Sequence, residues 1–301
     1  MKEQKKNLQN FISYEIISMK QNILEKFEEN MKNRMNNFFC TFNNKKIIMY
    51  MMLGRSIDSQ LGTKLQHIAM YMARERYGFS MVPNLVVMYQ DKKNICIRTV
   101  ADPWEKGCQQ KIKRAESKEK ADALIEKNRK RYIMHNPSSV NSFKIELESD
   151  EKVREILDCI KPSKGKSHDR VLDLLYFVDE DGKLIEADCF ELKSGGNLDT
   201  KNSDANIREV DECERLFNFL PKSYSFFATC YNNRGEGNEP DGNIFAEIPK
   251  DKQLIGREFW ERVIPNYVTY DEFKTMYIDT FKKSKIEYEI NKKVKEALEK
   301  N

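Results

Sequence analysis

The 301-residue sequence has no apolar run of the roughly 20 residues that a membrane-crossing helix needs. Its basic first residues, MKEQKKNLQNF, are not followed by the apolar stretch of a secretion signal. Histidine is scarce, at His67, His135 and His168, and the seven cysteines are dispersed without a C-x-x-C pair, so the spacing of a zinc site is missing. An odd, scattered set of cysteines reads as reduced thiols, and the expected location is cytoplasmic. A strong excess of either charge is missing too. Lys and Arg number 52 against 48 Asp and Glu, and the resulting +4 does not by itself demand a polyanionic partner.

What is there fits a mixed α/β protein with enough chain for a sizeable core. Apolar residues recur at helical spacing at Leu8, Phe11, Ile12, Ile16 and Ile17, and again at Ile23, Leu24 and Phe27. A second helix is expected in "LGRSIDSQLGTKLQHIAMYMARERYG", capped by Ser56 or Asp58 and ended by Gly78. "PNLVVMY" and "NICIRTV" read as strands. Between Lys106 and Arg131 the composition reads as helical, with ten Lys or Arg against four Asp or Glu. A solvated helix face explains that run, and a phosphate-tracking surface is the sharper alternative. "KPSKGKSHDR" is a loop, "RVLDLLYFV" a strand, "DEDGK" a tight turn and "LIEADCFELK" the returning strand. A helix is expected from Ser203 or Asp204 to about Phe219, then the buried strand "SYSFFATCYN", a glycine- and asparagine-rich loop, and helices to the C-terminus.

Charges inside apolar strands carry the chemistry. Glu-x-Lys occurs four times, but only Glu191-Leu192-Lys193 ends an apolar strand, where both charges point to one face. The preceding strand holds a second misplaced acid, Asp173, among residues that are all apolar or aromatic. Burying such groups costs several kcal/mol unless each finds a partner. A structural ion pair is one solution. A divalent cation joining the two acids is another, since Mg²⁺ takes hard oxygen ligands and is often held by one or two carboxylates plus a substrate phosphate. A lysine beside it, its pKa lowered by desolvation and the cation, can orient and help deprotonate an attacking water. That set points to phosphodiester hydrolysis. Gly195-Gly196 lets the backbone turn sharply beside a bulky ligand. Asn197, Asp199, Lys201 and Asn202 follow on a polar turn before a helix, suited to phosphate oxygens and base edges. Asn206 and Arg208, one turn further on, complete the expected DNA-facing set.

Asp173 followed by Glu191-Leu192-Lys193 after a hairpin resembles the PD-(D/E)XK motif of type II restriction endonucleases. "GRSIDSQLGTKLQHIA" and "FELKSGGNLDTKNSDANIREV" resemble the restriction family named for TdeIII, and "IGREFWERVI" is similar to a helix that often closes such domains. The resemblance implies a restriction-endonuclease-like mixed central sheet flanked by helices, with a helical N-terminal extension. It implies that Asp173 and Glu191 bind Mg²⁺ together with the Leu192 carbonyl, while Lys193 acts on the water. Leu172 stands where the motif has proline, which makes Asp169 a competing first acid; Asp173 is preferred because Asp169 lies at a loop edge. Where relatives carry a glutamate on the first core helix, this chain offers Gln60 or Gln66.

The expected organisation is a helical segment over 1–50 and a nuclease domain over 51–301 with a helical C-terminus. The expected activity is Mg²⁺-dependent double-strand cleavage at a short palindrome, possible GGNCC-like targets being implied by the resemblance alone. A non-catalytic nucleic-acid binder and a structure-specific repair or recombination nuclease of the same fold are the alternatives. The expected partners are double-stranded DNA and a second copy of the chain, with no membrane, and a methyltransferase in the same system to protect the host. The N-terminal helices are either the dimer contact or a cover for the core.

Overall fold

The structure is a computed structural model that describes residues 1–36, 44–102, 109–132, 139–160, 169–195 and 200–299. The chain divides into two compact units, Met1–Ile68 with Asn266–Asn301, and Ala69–Pro265. No helix among the described residues is long and apolar enough to cross a membrane.

The first unit is helical. It comprises α1 (Lys2–Glu25), α2 (Phe27–Met35), the first part of α3 (Lys45–Tyr77), and α9 (Tyr270–Lys283) and α10 (Ile286–Glu299) at the other end of the chain. Most of the apolar stripe of α1 is buried inside this unit, Ile17 being 40% exposed. Leu8, Ile12, Ile16, Met19 and Ile23 are buried, and α1 packs on α9 and α10. Met19, Ile23, Phe27 and Met31 share a core with Ile48, Met49, Met52 and Leu53 of α3 and with Ile286, Val294 and Ala297 of α10. Helix α3 runs straight through Ser56 and Asp58, which therefore do not cap it, because the apolar residues from Ile48 to Leu53 extend its buried face by three turns. It ends at Gly78, whose φ of 93° suits a residue without Cβ. Glu15 of α1 is buried and ionic, taking Lys64 at 3.0 Å and His67 at 2.9 Å as partners. Gln60 accepts a hydrogen bond from Asn22 at 2.9 Å, which gives it a structural role within the helical unit.

The second unit holds the strands, divided between two mixed sheets. One has the order β4 (Ser139–Glu146), β2 (Asn94–Ala101), β1 (Leu85–Asp91), β3 (Gln110–Arg114) and β5 (Asp169–Leu172). The other runs β6 (Leu174–Glu180), β7 (Lys183–Lys193), β8 (Lys222–Thr229) and β9 (Gln253–Ile255). Helices α4 (Lys118–Tyr132), α5 (Asp150–Asp158), α6 (Thr200–Phe217), α7 (Asn243–Glu247) and α8 (Arg257–Val263) complete it. The mixed α/β class expected from the sequence is therefore what the chain adopts.

Two local expectations change. "RVLDLLYFV" is not one strand: the ladder breaks at Asp173, sending β5 to one sheet and β6 to the other, and Val171 is 43% exposed. The gap is bridged by the buried side chain of Gln110. Its amide donates to the Leu175 carbonyl at 2.8 Å and accepts from the Leu175 N–H, reproducing with a side chain the pair that a neighbouring strand would supply. The basic stretch is also not helical throughout, since Gln110–Arg114 is β3. Lys106 lies outside the described residues, and from Lys118 the stretch is α4, which buries Ala121 and Ile125 against Leu85, Val87 and Tyr89 of β1. The outward face of α4 pairs Lys118 with Asp122, Lys120 with Glu116 and Arg129 with Glu126, as a solvated helix face does.

The hairpin of β6 and β7 closes on Asp181 (φ 50°) and Gly182 (φ 77°), the pair of positive φ values that a two-residue turn of this hand requires. β8 then lies parallel to β7, with Lys193 opposite Thr229, so both strands end at the same edge of the sheet. α6, which starts at Thr200 and stops at Phe217, forms the connection and lies on β7 and β8.

Candidate active site

Side chains alternate along β7, and its two faces carry different chemistry. Ala187 and Cys189 lie on the face that packs on Cys213, Leu216 and Phe217 of α6, and Glu191 and Lys193 continue that face to the strand end. Asp188, Phe190 and Leu192 point the other way, where Phe190 meets Phe226 and Phe259.

Asp173 comes to Glu191 and Lys193 because of the ladder break. Released from both sheets, its carboxylate accepts the Leu192 N–H at 3.0 Å and stands 3.6 Å from the Lys193 ammonium. Lys193 also donates to Glu191 Oε1. The ammonium thus bridges two carboxylates at a strand end. The side chain of Lys193 is 29% exposed, that of Glu191 11% and that of Asp173 13%. Within a strand, the N–H and C=O of one residue leave on the same side, so the Leu192 carbonyl leaves β7 toward Asp173.

Burial raises the Glu191 carboxyl most, Lys193 pulls it back, and contact with the Glu209 carboxyl raises it further, leaving it at about 7. Burial pushes the Lys193 ammonium down, but the Glu191 and Asp173 carboxylates outweigh burial and hold it above its ordinary value. Without a cation beside it the lysine is therefore held as an ammonium by the two carboxylates. Glu209 is the residue that sequence reasoning missed. It lies on α6 one turn before Cys213, and its only sequence signal was helical phase: Glu209 and Cys213 share a face, and Cys213 meets Cys189. Arg170 of β5 holds α6 in this register, donating to the Glu209 carbonyl at 3.1 Å and the Glu212 carboxylate at 2.7 Å.

The expected DNA-facing residues part company. Asn197 lies outside the described residues, as do Gly196 and Asp199. Lys201 and Asn202 are in the first turn of α6, their side chains outside the description. Asn206 is buried, which removes it from a base-reading surface; it lies three residues before Glu209, on the helix face turned to the sheet. Arg208 is exposed, its Nε donating to the Asp204 carbonyl at 3.1 Å. The competing acid Asp169 is the first residue of β5, opposite Lys113 in the register.

Among the described residues no group of three or more His, Cys, Asp and Glu side chains is disposed to hold a metal ion. The site offers two carboxylates and one carbonyl. This donor set matches Mg²⁺, which keeps several waters and needs few protein ligands. Burial above all, with the Glu209 carboxyl added, raises Glu191, and a cation bound there would favour its charged form.

A mixed α/β core of this kind is the architecture of restriction-endonuclease-like proteins. A family model described as type II restriction endonuclease, HinfI, matches residues 4–283, and the chain belongs to that family. It is accordingly a site-specific deoxyribonuclease. The match supports this class and does not single out the family named for TdeIII. No curated protein and no solved structure matches the chain.

Proposed function

We propose that this restriction endonuclease hydrolyses double-stranded DNA at the Asp173–Glu191–Lys193 constellation, using Mg²⁺. The observation that carries the reading is the Lys193 ammonium shared by two carboxylates where a buried strand runs out. Asp173, Glu191 and the Leu192 carbonyl would hold the cation, which when bound neutralises charge on the phosphate and makes water more acidic. Lys193, kept as an ammonium, donates hydrogen bonds that orient an attacking water or a phosphate oxygen. Glu191, raised to about 7 without the cation, would give up its proton to bind it. Asp173 fixes the strand end by accepting the Leu192 N–H.

The DNA contacts fall to Arg208 and to Asn197, Lys201 and Asn202 around the start of α6. One site cuts one strand, so a double-strand break within a short palindrome calls for a two-fold dimer. Of the α1 stripe expected to make that contact, Leu8, Ile12, Ile16 and Ile23 are buried in its own unit, while Ile17 is 40% exposed beside the exposed Tyr14 and is left for a partner copy. A GGNCC-type target rests on the TdeIII resemblance alone. A cytoplasmic location, a methyltransferase in the same system and a helical N-terminal segment preceding the nuclease domain belong to the same reading.

A supercoiled plasmid with Mg²⁺ tests it. Discrete double-strand fragments support the reading. Cleavage at DNA junctions alone would indicate a structure-specific nuclease, and binding without cleavage, equal with and without Mg²⁺, would overturn the catalytic assignment.

A further inference from the structure

The loop after β8 begins beside the candidate active site, because parallel strands β7 and β8 end at the same edge. Its first residues are pinned. The Cys230 N–H donates to the Lys193 carbonyl at 2.9 Å, and Trp260 Nε1 donates to the Cys230 carbonyl at 2.7 Å. The Gly256 N–H donates to the Thr229 carbonyl at 2.9 Å. Gly256 has φ of 57°, and a Cβ there would meet the Asn232 nitrogen at 3.3 Å and the Tyr231 Cα at 3.6 Å. From this anchored root the Tyr231 ring reaches back over the strand end. A Cβ on Gly195 would stand 2.6 Å from the Tyr231 hydroxyl and 2.7 Å from Cζ, so the bare backbone of Gly195 is what admits the ring tip. Tyr231 is nevertheless 50% exposed, which is unusual for an aromatic fixed so closely at its root and its tip.

We propose that Tyr231 is a phosphate-seating residue, its phenol hydroxyl donating to a backbone phosphate oxygen of the DNA held beside Glu191 and Lys193. This rests on the assignment of the active site to Asp173, Glu191 and Lys193. Tyrosine hydroxyls are among the ordinary donors to DNA phosphates. Substrate for a strand-end site in a parallel pair enters over the carboxyl ends of the strands, where this hydroxyl sits two residues from Lys193 along the chain direction of β7. A donor held by backbone hydrogen bonds orients a phosphate without being reorganised, and a small misplacement of the reacting group costs rate. Being neutral, it releases no counterion from DNA, unlike a lysine or arginine contact. The residue therefore acts on the rate of cleavage and leaves the salt dependence of binding alone.

The test is single-turnover cleavage of plasmid DNA with Mg²⁺ by the full chain, beside DNA binding in Ca²⁺ at several salt concentrations, for Tyr231→Phe, Tyr231→Ala, Gly195→Ala and Glu191→Ala. Tyr231→Phe keeps the ring on Gly195 and removes only the hydroxyl. It is expected to lower the cleavage rate about tenfold, a hydrogen bond's worth, with an unchanged salt slope. Gly195→Ala, which pushes the ring tip away, is expected to lose at least as much, and adding Tyr231→Ala to it to cost little more than Tyr231→Ala alone. Wild-type cleavage by Tyr231→Phe overturns the proposal, including the case where Tyr231→Ala is impaired or unfolded, because the ring would then serve packing only. A reduced salt slope in Tyr231→Phe would overturn it as well. Full cleavage by Glu191→Ala would instead refute the active-site reading. Inactive Glu191→Ala beside fully active Tyr231→Phe refutes the Tyr231 proposal alone.

Discussion

Strand β7 carries a buried acid, Asp188, and a half-buried one, Glu191, three residues apart, and their surroundings differ in kind. Asp188 is wholly buried, with one oxygen accepting from the Tyr176 hydroxyl and from Arg262 at 3.1 Å. Tyr176 stacks on Tyr77 with ring centroids 3.9 Å apart, and the Arg262 guanidinium lies over the Phe226 ring at 4.7 Å. Burial, partly countered by the Tyr176 hydrogen bond, lifts Asp188 to about 6. That network sets one cation and a phenol against the acid between aromatic walls, with the Tyr77 hydroxyl 3.1 Å from that of Tyr176 and the other Asp188 oxygen buried without a hydrogen bond among the described residues. Glu191 on the opposite face is at a strand end, where the Lys193 ammonium lies between the Asp173 and Glu191 carboxylates and the Glu209 carboxyl meets Glu191. A buried carboxylate met by a guanidinium and a phenol ties elements of the fold together, whereas partly exposed carboxylates around an ammonium at a strand end can take a ligand.

The largest effect expected from this contrast is on chemistry. Lys193→Ala or Glu191→Ala should lower cleavage by about 10²–10⁴-fold while DNA binding in Ca²⁺ survives, as loss of a proton-handling or water-orienting group does. Single-turnover assays with Mg²⁺ check this, and an active enzyme in either case would break the comparison. Asp173→Ala should match them, whereas an inactive Asp169→Ala beside an active Asp173→Ala would move the first acid to β5.

On the Asp188 side the effect moves to stability. Asp188→Ala leaves the Arg262 and Tyr176 groups short of a partner and should cost on the order of 3 kcal/mol in denaturant unfolding. The molecules that remain folded should cleave at close to the wild-type rate. A loss of rate equal to that of Glu191→Ala would show that the two faces are not separate.

The pH dependence sharpens the same point. Glu191 has its folded pKa raised from 4.5 to about 7, so its contribution is fully present below 4.5 and is lost as pH climbs through 7. Glu191→Gln removes that dependence. Relative to the wild type without added metal, the variant should gain up to about 3 kcal/mol between pH 5 and 8, and less in so far as Lys193 compensates. Parallel stability curves for the two proteins would contradict the raised carboxyl.

The smallest effect concerns one of the three other Glu-x-Lys, at Glu272. Its carboxylate closes a capping box with Thr269 at the start of α9 and pairs with Lys5 at 2.6 Å. Glu272→Ala should leave cleavage unchanged and lower Tm slightly through the lost cap. An inactive Glu272→Ala would mean that the pattern, not its burial, was mistaken for the signal.

Much of this contrast is legible in the sequence, and the remainder has a physical reason to be hidden. The hairpin of β6 and β7 announces itself through Asp-Gly between apolar runs, and Glu191 and Lys193 through charges where a strand should be apolar. Asp173 is visible as a misplaced acid, but not the ladder break that frees it, because the Gln110 amide that bridges the break lies 65 residues away from Leu175. The N-terminal turns of α3 were hidden because Ser56 and Asp58 look like caps, and only the Met49–Leu53 packing overrides them. Glu209, the burial of Asn206 and the reach of Tyr231 over Gly195 depend on how a helix and a loop settle on β7. That register is decided by tertiary packing and leaves no local pattern.

The most direct measurement of the central claim is a titration of Mn²⁺, standing in for Mg²⁺, into the full chain and into its Asp173→Asn/Glu191→Gln variant, followed by calorimetry at pH 6 and pH 8. The account predicts that the wild type binds the cation more tightly at pH 8, where Glu191 has given up its proton, and that the variant loses this binding while remaining folded. Equal Mn²⁺ binding by both proteins, with no dependence on pH, would contradict it.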